Sequence, residues 1–291
     1  MNVRLVLAGL SLAVVGSVFL PSANISAASL QGLTVSPLRS ELSVAPGTSD
    51  SGVLTVTNKS SQPMNVSLNA EEFKVIDQQY DYAFTKESAV AKWVTFERSD
   101  LSLKAGETSQ VSYQLSAPLD AEPGGRYISL FASTDTGPSD GVVGSRQRIA
   151  SLLYITVLGD VTRAGRLISL TSPWAVSGDN DWSVAIQNSG TTHFRSRYTV
   201  NVSNVFGQNV GIGSSGDALI LPGTIRLISD NLPLPPFPGV YKYVYVIGLG
   251  DTPAVTETRL VLYIPIAAMI IGGLATIIVI GLFVRKLTRK A

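Results

Sequence analysis

Few side chains in this 291-residue chain have the type and spacing for chemistry, and none is arranged for it. There is one histidine, His193, in Ser189-Gly-Thr-Thr-His-Phe-Arg-Ser-Arg197, and there is no cysteine. A general base needs a positioned partner and a nucleophile within hydrogen-bond reach, and no Gly-x-Ser-x-Gly elbow accompanies His193. The segment reads as a turn feeding a strand, with His193 exposed in the loop. Arg195 and Arg197 beside it make a small basic rim that either meets an acidic partner or lines a solvated edge strand. The absent cysteines exclude a disulfide scaffold, a thiolate zinc site and a Cys nucleophile, and a lone histidine excludes a multi-His metal centre.

The carboxylates give two further candidates. Glu71-Glu72 has the composition of a glycosidase pair, which needs two carboxyls about 5 to 9 Å apart across a cleft. Neighbouring strand residues point to opposite faces, so this pair cannot serve one substrate. Asp179-Asn180-Asp181 lacks the loop and distal Glu of an EF-hand and reads as an Asx-stabilised turn. No catalytic residue, metal or cofactor is expected, and a hydrolase acting on wall polymers ranks last among the functions considered.

The elements that would carry these residues are strands. Gly52-Val-Leu-Thr-Val-Thr-Asn58, Gln110-Val-Ser-Tyr-Gln-Leu115 and Tyr241-Lys-Tyr-Val-Tyr-Val246 alternate apolar and polar residues with period two, as half-buried antiparallel strands do. Turn residues punctuate them at sandwich-like intervals. Only Lys86 to Lys92 reads as helical, as a short local turn before Trp93. The chain also repeats itself. Leu54-Thr-Val-Thr-Asn58 is echoed by Val184-Ala-Ile-Gln-Asn188, Leu103-Lys-Ala-Gly106 by Leu221-Pro-Gly223, and Pro123-Gly-Gly125-Arg-Tyr127 by Phe237-Pro-Gly239-Val-Tyr241. The separation between partners shrinks along the chain, so either the first copy carries an insertion or the second is trimmed. The segment from Phe73 to Trp93 is the largest candidate insertion. The fold class is therefore all-β: two tandem immunoglobulin-like β-sandwiches, residues 29–159 and 160–259, followed by a single transmembrane helix.

Both ends are apolar. Residues 1–28 read as a secretory signal, with Arg4, an apolar run from Leu5 to Leu20 and small residues at Ser26-Ala-Ala28. Leu260 to Val284 carries no charge and would span roughly 37 Å as a helix, enough for a ~30 Å hydrocarbon core; Pro265 marks the expected helix start, and a last strand, Val255 to Leu262, runs into the span. A short basic tail, residues 285–291, follows, with Arg285, Lys286, Arg289 and Lys290 placing the C-terminus inside by the positive-inside bias. The expectation is a plasma-membrane protein of single-pass type I topology, held in the lipid bilayer by the C-terminal helix, with an extracellular ectodomain. Its net charge of +1 gives no nucleic-acid footprint.

Ser36-Pro-Leu-Arg39, Val44-Ala-Pro-Gly47, Leu54-Thr-Val-Thr-Asn58 and Gln62-Pro63 resemble the first sandwich of bacterial surface and pilus-chaperone-like proteins. With Ala121-Glu-Pro-Gly-Gly-Arg-Tyr127, the signal and the anchor, the chain is more similar to cell-surface proteins of the WxL-interacting type. That resemblance implies binding of peptidoglycan or of another surface protein. The leading expectation is a non-enzymatic, membrane-anchored protein presenting two immunoglobulin-like domains. The alternative is a pilus-chaperone-like assembly factor acting by strand donation. Pilus chaperones hold a subunit's terminal carboxylate with paired basic residues. Arg39 could be one of them, but the sequence offers no second, and Arg39 also reads as a solvated strand residue.

Overall fold

The computed structural model describes residues 32–135 and 146–288; the expected signal segment and Arg289 and Lys290 lie outside the described residues. The first sandwich contains β1 (Leu33–Ser36), β2 (Arg39–Val44), β3 (Ser49–Asn58), β4 (Met64–Val75) and β5 (Tyr82–Thr85). It is completed by β6 (Val94–Phe96), β7 (Asp100–Leu103), β8 (Thr108–Ser116), β9 (Gly124–Asp135) and β10 (Arg146–Val157). One sheet has the order β1-β3-β8-β6. The other runs β2-β10-β9-β4-β5, with β7 also on β4. The second sandwich contains β11 (Gly165–Thr171), β12 (Ala175–Val176), β13 (Asp181–Asn188), β14 (Phe194–Asn204) and β15 (Asn209–Ile220). β16 (Ile225–Asn231), β17 (Gly239–Leu249) and β18 (Thr252–Tyr263) complete it, in sheets β11-β13-β16 and β12-β18-β17-β14-β15. An α-helix, α1 (Ile266–Thr288), follows.

The period-two pattern translates directly into burial. In β8 the alternate residues Val111, Tyr113 and Leu115 are buried between exposed serines and glutamines, and in β17 Tyr241, Tyr243 and Tyr245 point inward. Each such side chain taken from water stabilises by about 1.5–3 kcal/mol. The first core gathers Leu54, Val56, Leu130 and Ile155, the second Val184, Ile186, Ile220 and Tyr243. Buried tyrosine hydroxyls find partners, as they must: Tyr243 Oη accepts from Asn180 Nδ2 at 2.9 Å, and Tyr245 Oη lies 2.7 Å from Ser172 Oγ.

The sequence echoes occupy equivalent places. Asn58 and Asn188 each close a strand and are fully buried. Asn58 Nδ2 donates to the carbonyls of Gln62, Leu103 and Lys104. Asn188 Nδ2 donates to those of Thr192 and Ile220. Their backbone N–H groups donate to the carbonyls of Glu107 and Thr224. Gly106 and Gly223 sit in the turns just before those acceptors with φ of +73° and +72°, a region open to glycine at little cost.

Two expectations are refined. The short turn expected over Lys86 to Lys92 forms as one 3-10 turn at Ala91–Trp93. The apolar span 260–284 is not helical throughout: Leu260 to Tyr263 complete β18, and the helix starts at Ile266 directly after Pro265, where a proline without an N–H is tolerated. From Ile266 to Phe283 mean hydropathy is 2.6 and no residue is buried, so α1 is long and apolar enough to cross a membrane.

Candidate functional site

The segment that lengthens the first copy makes the joint between the sandwiches. Between β4 and β5, Asp77 Oδ1 accepts from the Asp81 N–H and tightens a turn. Tyr80 takes φ of +72° there, a conformation costly for a bulky residue. Its ring reaches the second sandwich and is buried. The Tyr80 hydroxyl accepts from the Leu221 N–H and lies 2.8 Å from Thr224 Oγ1. The Leu227 N–H donates to Gln78 O at 2.9 Å, so the loop also pairs with the outer edge of β16.

Aromatic rings fill the rest of the joint. Phe73, Tyr127 and Tyr154 lie 5.5–5.9 Å apart, centroid to centroid. Burial is the main cause that raises the Tyr80, Tyr127 and Tyr154 hydroxyls above the usual phenol range, so all three stay neutral donors. On the far side Gly190 approaches the linker so closely that a Cβ would meet the Thr162 carbonyl at 2.3 Å. The Gly125 N–H donates to Thr191 O at 2.9 Å. Shallow grooves of about 340 and 530 Å³ flank the joint, the first beside His193 and Arg195, the second beside Phe73 and Leu221.

Here the predicted residues are relocated. His193 is not an exposed loop residue. It is 7% exposed, with its ring 5.7 Å from those of Tyr127 and Tyr154 and Nδ1 3.4 Å from the Tyr127 hydroxyl. Burial, aided by Arg163 and Arg195 and opposed by Glu41, pulls its pKa down to about 4. A neutral imidazole packed on tyrosines is a structural wedge. Arg195 is not a solvated rim. Nε donates to Glu41 Oε1 at 3.0 Å across the joint, and Nη1 to Asp217 Oδ2 at 3.0 Å. Nor is its strand an edge, since β14 lies between β17 and β15. Arg197 is exposed opposite Asp217 and takes no part in the joint.

Arg39 is exposed with its guanidinium 5.4 Å from the Tyr154 ring, so it shares that ring with His193. A second cation that sequence reasoning missed is Arg226, 4.3 Å over the Tyr80 ring; both arginines act electrostatically on the Tyr154 hydroxyl. Arg285 and Lys286 lie on α1. The acids are engaged elsewhere: Glu71 pairs with Arg148 at 2.6 Å, Glu72 accepts from Ser88, and Asn180 is buried within its turn. Among the described residues no three His, Asp or Glu are grouped to hold a metal ion.

The second feature of the site is an open edge. In the first sandwich β2 runs parallel to β10 and covers Leu152–Val157. The corresponding β12 covers only Leu262 and Tyr263 of β18. The N–H groups of Leu262 and Ile264 donate outward to Trp174 O and Val176 O. By strand alternation the backbone groups of Thr256, Thr258 and Leu260 therefore also point outward, and their side chains are exposed. No described strand pairs with that stretch. From Val255 to Tyr263 the register with β17 is unbroken, whereas β11 and β15 each carry a register break. In the sequence the only signal for this edge is the polar alternation Thr256-Glu-Thr-Arg259.

No family model matches the chain, and no curated protein matches it. Solved structures similar to it include the class 5 fimbriae chaperone CfaA, 11% identical with a TM-score of 0.41 over 78% of this chain and 99% of that one. The Escherichia coli chaperone DraB is 14% identical, with a TM-score of 0.36 over 79% and 97%. A chain from the complex of Salmonella enterica SafA pilin with the SafB chaperone is 13% identical, with a TM-score of 0.38 over 81% and 98%.

Proposed function

We propose that this protein is a non-enzymatic binding protein, held at a membrane by α1, that recognises a partner polypeptide by strand addition to β18 in the manner of an assembly factor. The observation that carries the reading is the open, regular edge of β18, with the outward backbone groups of Thr256, Thr258 and Leu260 unclaimed by any described strand. Such an edge is a template for another chain: main-chain hydrogen bonds supply affinity and flanking side chains supply selectivity. A row of alternating donors and acceptors matches an extended polypeptide better than a wall polymer. Pro253, Glu257 and Arg259 give the edge the prolines and charges that discourage indiscriminate pairing. The resemblance to the WxL-interacting type suggests that the partner is another surface protein.

Photo-crosslinking in living cells tests this. A benzophenone side chain at Thr256 or Thr258 should capture an extracytoplasmic polypeptide, while one at exposed Thr199 on the interior strand β14 should not. Thr258→Pro removes an outward donor and spares the ladder to β17, and should abolish capture from Thr256. Equal capture from Thr199, or capture indifferent to Thr258→Pro, contradicts strand addition.

A further inference from the structure

The end of the second sandwich farthest from the first carries an unusual surface. Phe206 is 85% exposed, Trp174 80% and Phe237 72%, and Val205, Leu234 and Leu260 are exposed with them. These residues come from four separate segments: the connection before β12, the β14–β15 turn, the β16–β17 connection and the last turn of β18. Strand register brings the segments to one end. Asn204 pairs with Tyr241, Gly239 and Val240 pair with Tyr263 and Leu262, and the Leu262 N–H donates to Trp174 O at 2.9 Å. Isolated exposed apolar residues are ordinary, but large aromatic side chains gathered from three segments, with Leu260 from a fourth, mark a contact surface.

The aromatics are also held in place. Asn204 Oδ1 accepts from the N–H groups of Phe206 and Gln208 at 3.0 Å, fixing the turn that projects Phe206. The Phe237 carbonyl accepts from the Tyr241 hydroxyl at 2.7 Å, and Asn180 Nδ2 donates to Pro233 O at 3.3 Å. Prior ordering lowers the entropy cost of binding.

What covers this surface follows from the chain itself. β18 ends at Tyr263 and α1 begins at Ile266, so only Ile264 and Pro265 separate the sandwich from the apolar helix. We infer that this end of the second sandwich is seated in the interfacial layer of the bilayer that α1 spans, with Trp174, Phe206 and Phe237 inserted among lipid headgroups. The inference rests on the membrane reading of α1. Aromatic side chains favour that layer, where an apolar ring and a polar edge are both accommodated. Exposed Asp179, Asp181 and Asp230 stand at the same end, with Lys242 nearby. Attraction to anionic lipid therefore does not drive the contact, and its partner is the apolar part of a zwitterionic surface. The seat fixes the rod upright: the 12 residues of β18 lift the joint by roughly 40 Å.

The test uses the full chain in phosphatidylcholine vesicles whose acyl chains are brominated near the headgroup. Flotation reports α1 and quenching of tryptophan emission reports the seat. The protein is expected to float, and the emission that disappears in Trp174→Phe is expected to be quenched at least twofold, equally at low and high salt. In a Phe206→Ser, Phe237→Ser double variant flotation should persist while the Trp174 quenching falls at least twofold. Flotation with an unquenched Trp174 overturns the seat and leaves the anchor standing. Failure to float overturns the anchor and the seat together.

Discussion

The hydroxyl of Tyr80 in the first sandwich lies 2.8 Å from Oγ1 of Thr224 in the second, and a residue in a left-handed backbone conformation makes the contact. Its ring belongs to the same buried cluster as Tyr241 and Ile220 of the second core, so apolar packing is continuous across the joint. Tyr80→Ala should cost about 3–5 kcal/mol, as for other buried aromatic truncations. It should also split one cooperative thermal transition into two, seen by calorimetry. Tyr80→Phe should cost only about 1–2 kcal/mol, the value of a buried N–H left without its acceptor. An unchanged single transition in Tyr80→Ala would show that the loop does not couple the sandwiches.

His193 makes stability depend on pH. An unfolded histidine binds its proton near pH 6.5, whereas in the fold the pKa is about 4. Between those values the unfolded chain holds more protons, so stability is complete above pH 6.5 and declines as pH falls toward 4. The loss is on the order of 3 kcal/mol over that window. Carboxylates titrate nearby, so the diagnostic comparison is with His193→Gln. Melting temperature against pH should be flatter for the variant above pH 4.5, and parallel curves would refute the account.

The ion pair beside it should matter far less. Arg195, Glu41 and Asp217 are each about a third to a half exposed, where solvent screens the pair. Arg195→Met should therefore change stability by under about 1 kcal/mol, with most of that loss erased at high salt in chemical denaturation. A loss comparable to that of Tyr80→Ala would place the joint's strength in charge and not in packing.

Asn58→Ala and Asn188→Ala test the equivalence of the two copies. Each amide satisfies buried carbonyls that no other side chain reaches in the described network, and each unsatisfied group costs about 1–3 kcal/mol. Both variants should lose several degrees in melting temperature. If the joint couples the sandwiches, the losses should be similar whichever copy is changed; a neutral Asn188→Ala would break the equivalence.

The two sandwiches were legible because alternation in β8 and β17 and the Asn58 and Asn188 strand ends are local signals. The joint was not. His193 looked exposed because its turn is polar in sequence, and only the fold sets Tyr127 and Tyr154 of the other sandwich against it. Arg226 escaped notice for the same reason: its partner Tyr80 lies 146 residues earlier. The insertion was visible as Asp77-Gln-Gln-Tyr-Asp-Tyr82, but nothing in its composition says that it crosses to the second sandwich. Leu260 to Tyr263 fell within both the last strand and the apolar span because strand and helix are equally apolar there, and only pairing with β17 assigns them to the strand. The open edge of β18 is a property of how few residues β12 covers, and the polar run Thr256-Glu-Thr-Arg259 is its one trace in the sequence.

Amide hydrogen exchange along β18 tests the central claim most directly. In full-length protein purified alone, the amides of Thr256, Thr258 and Leu260 should exchange rapidly, while those of Val255, Glu257 and Arg259, paired with β17, should be protected. In protein purified with the polypeptide cross-linked at Thr256, the three outward amides should become protected together. Outward amides already protected in the lone protein, or unchanged when the partner is attached, would contradict recognition by strand addition.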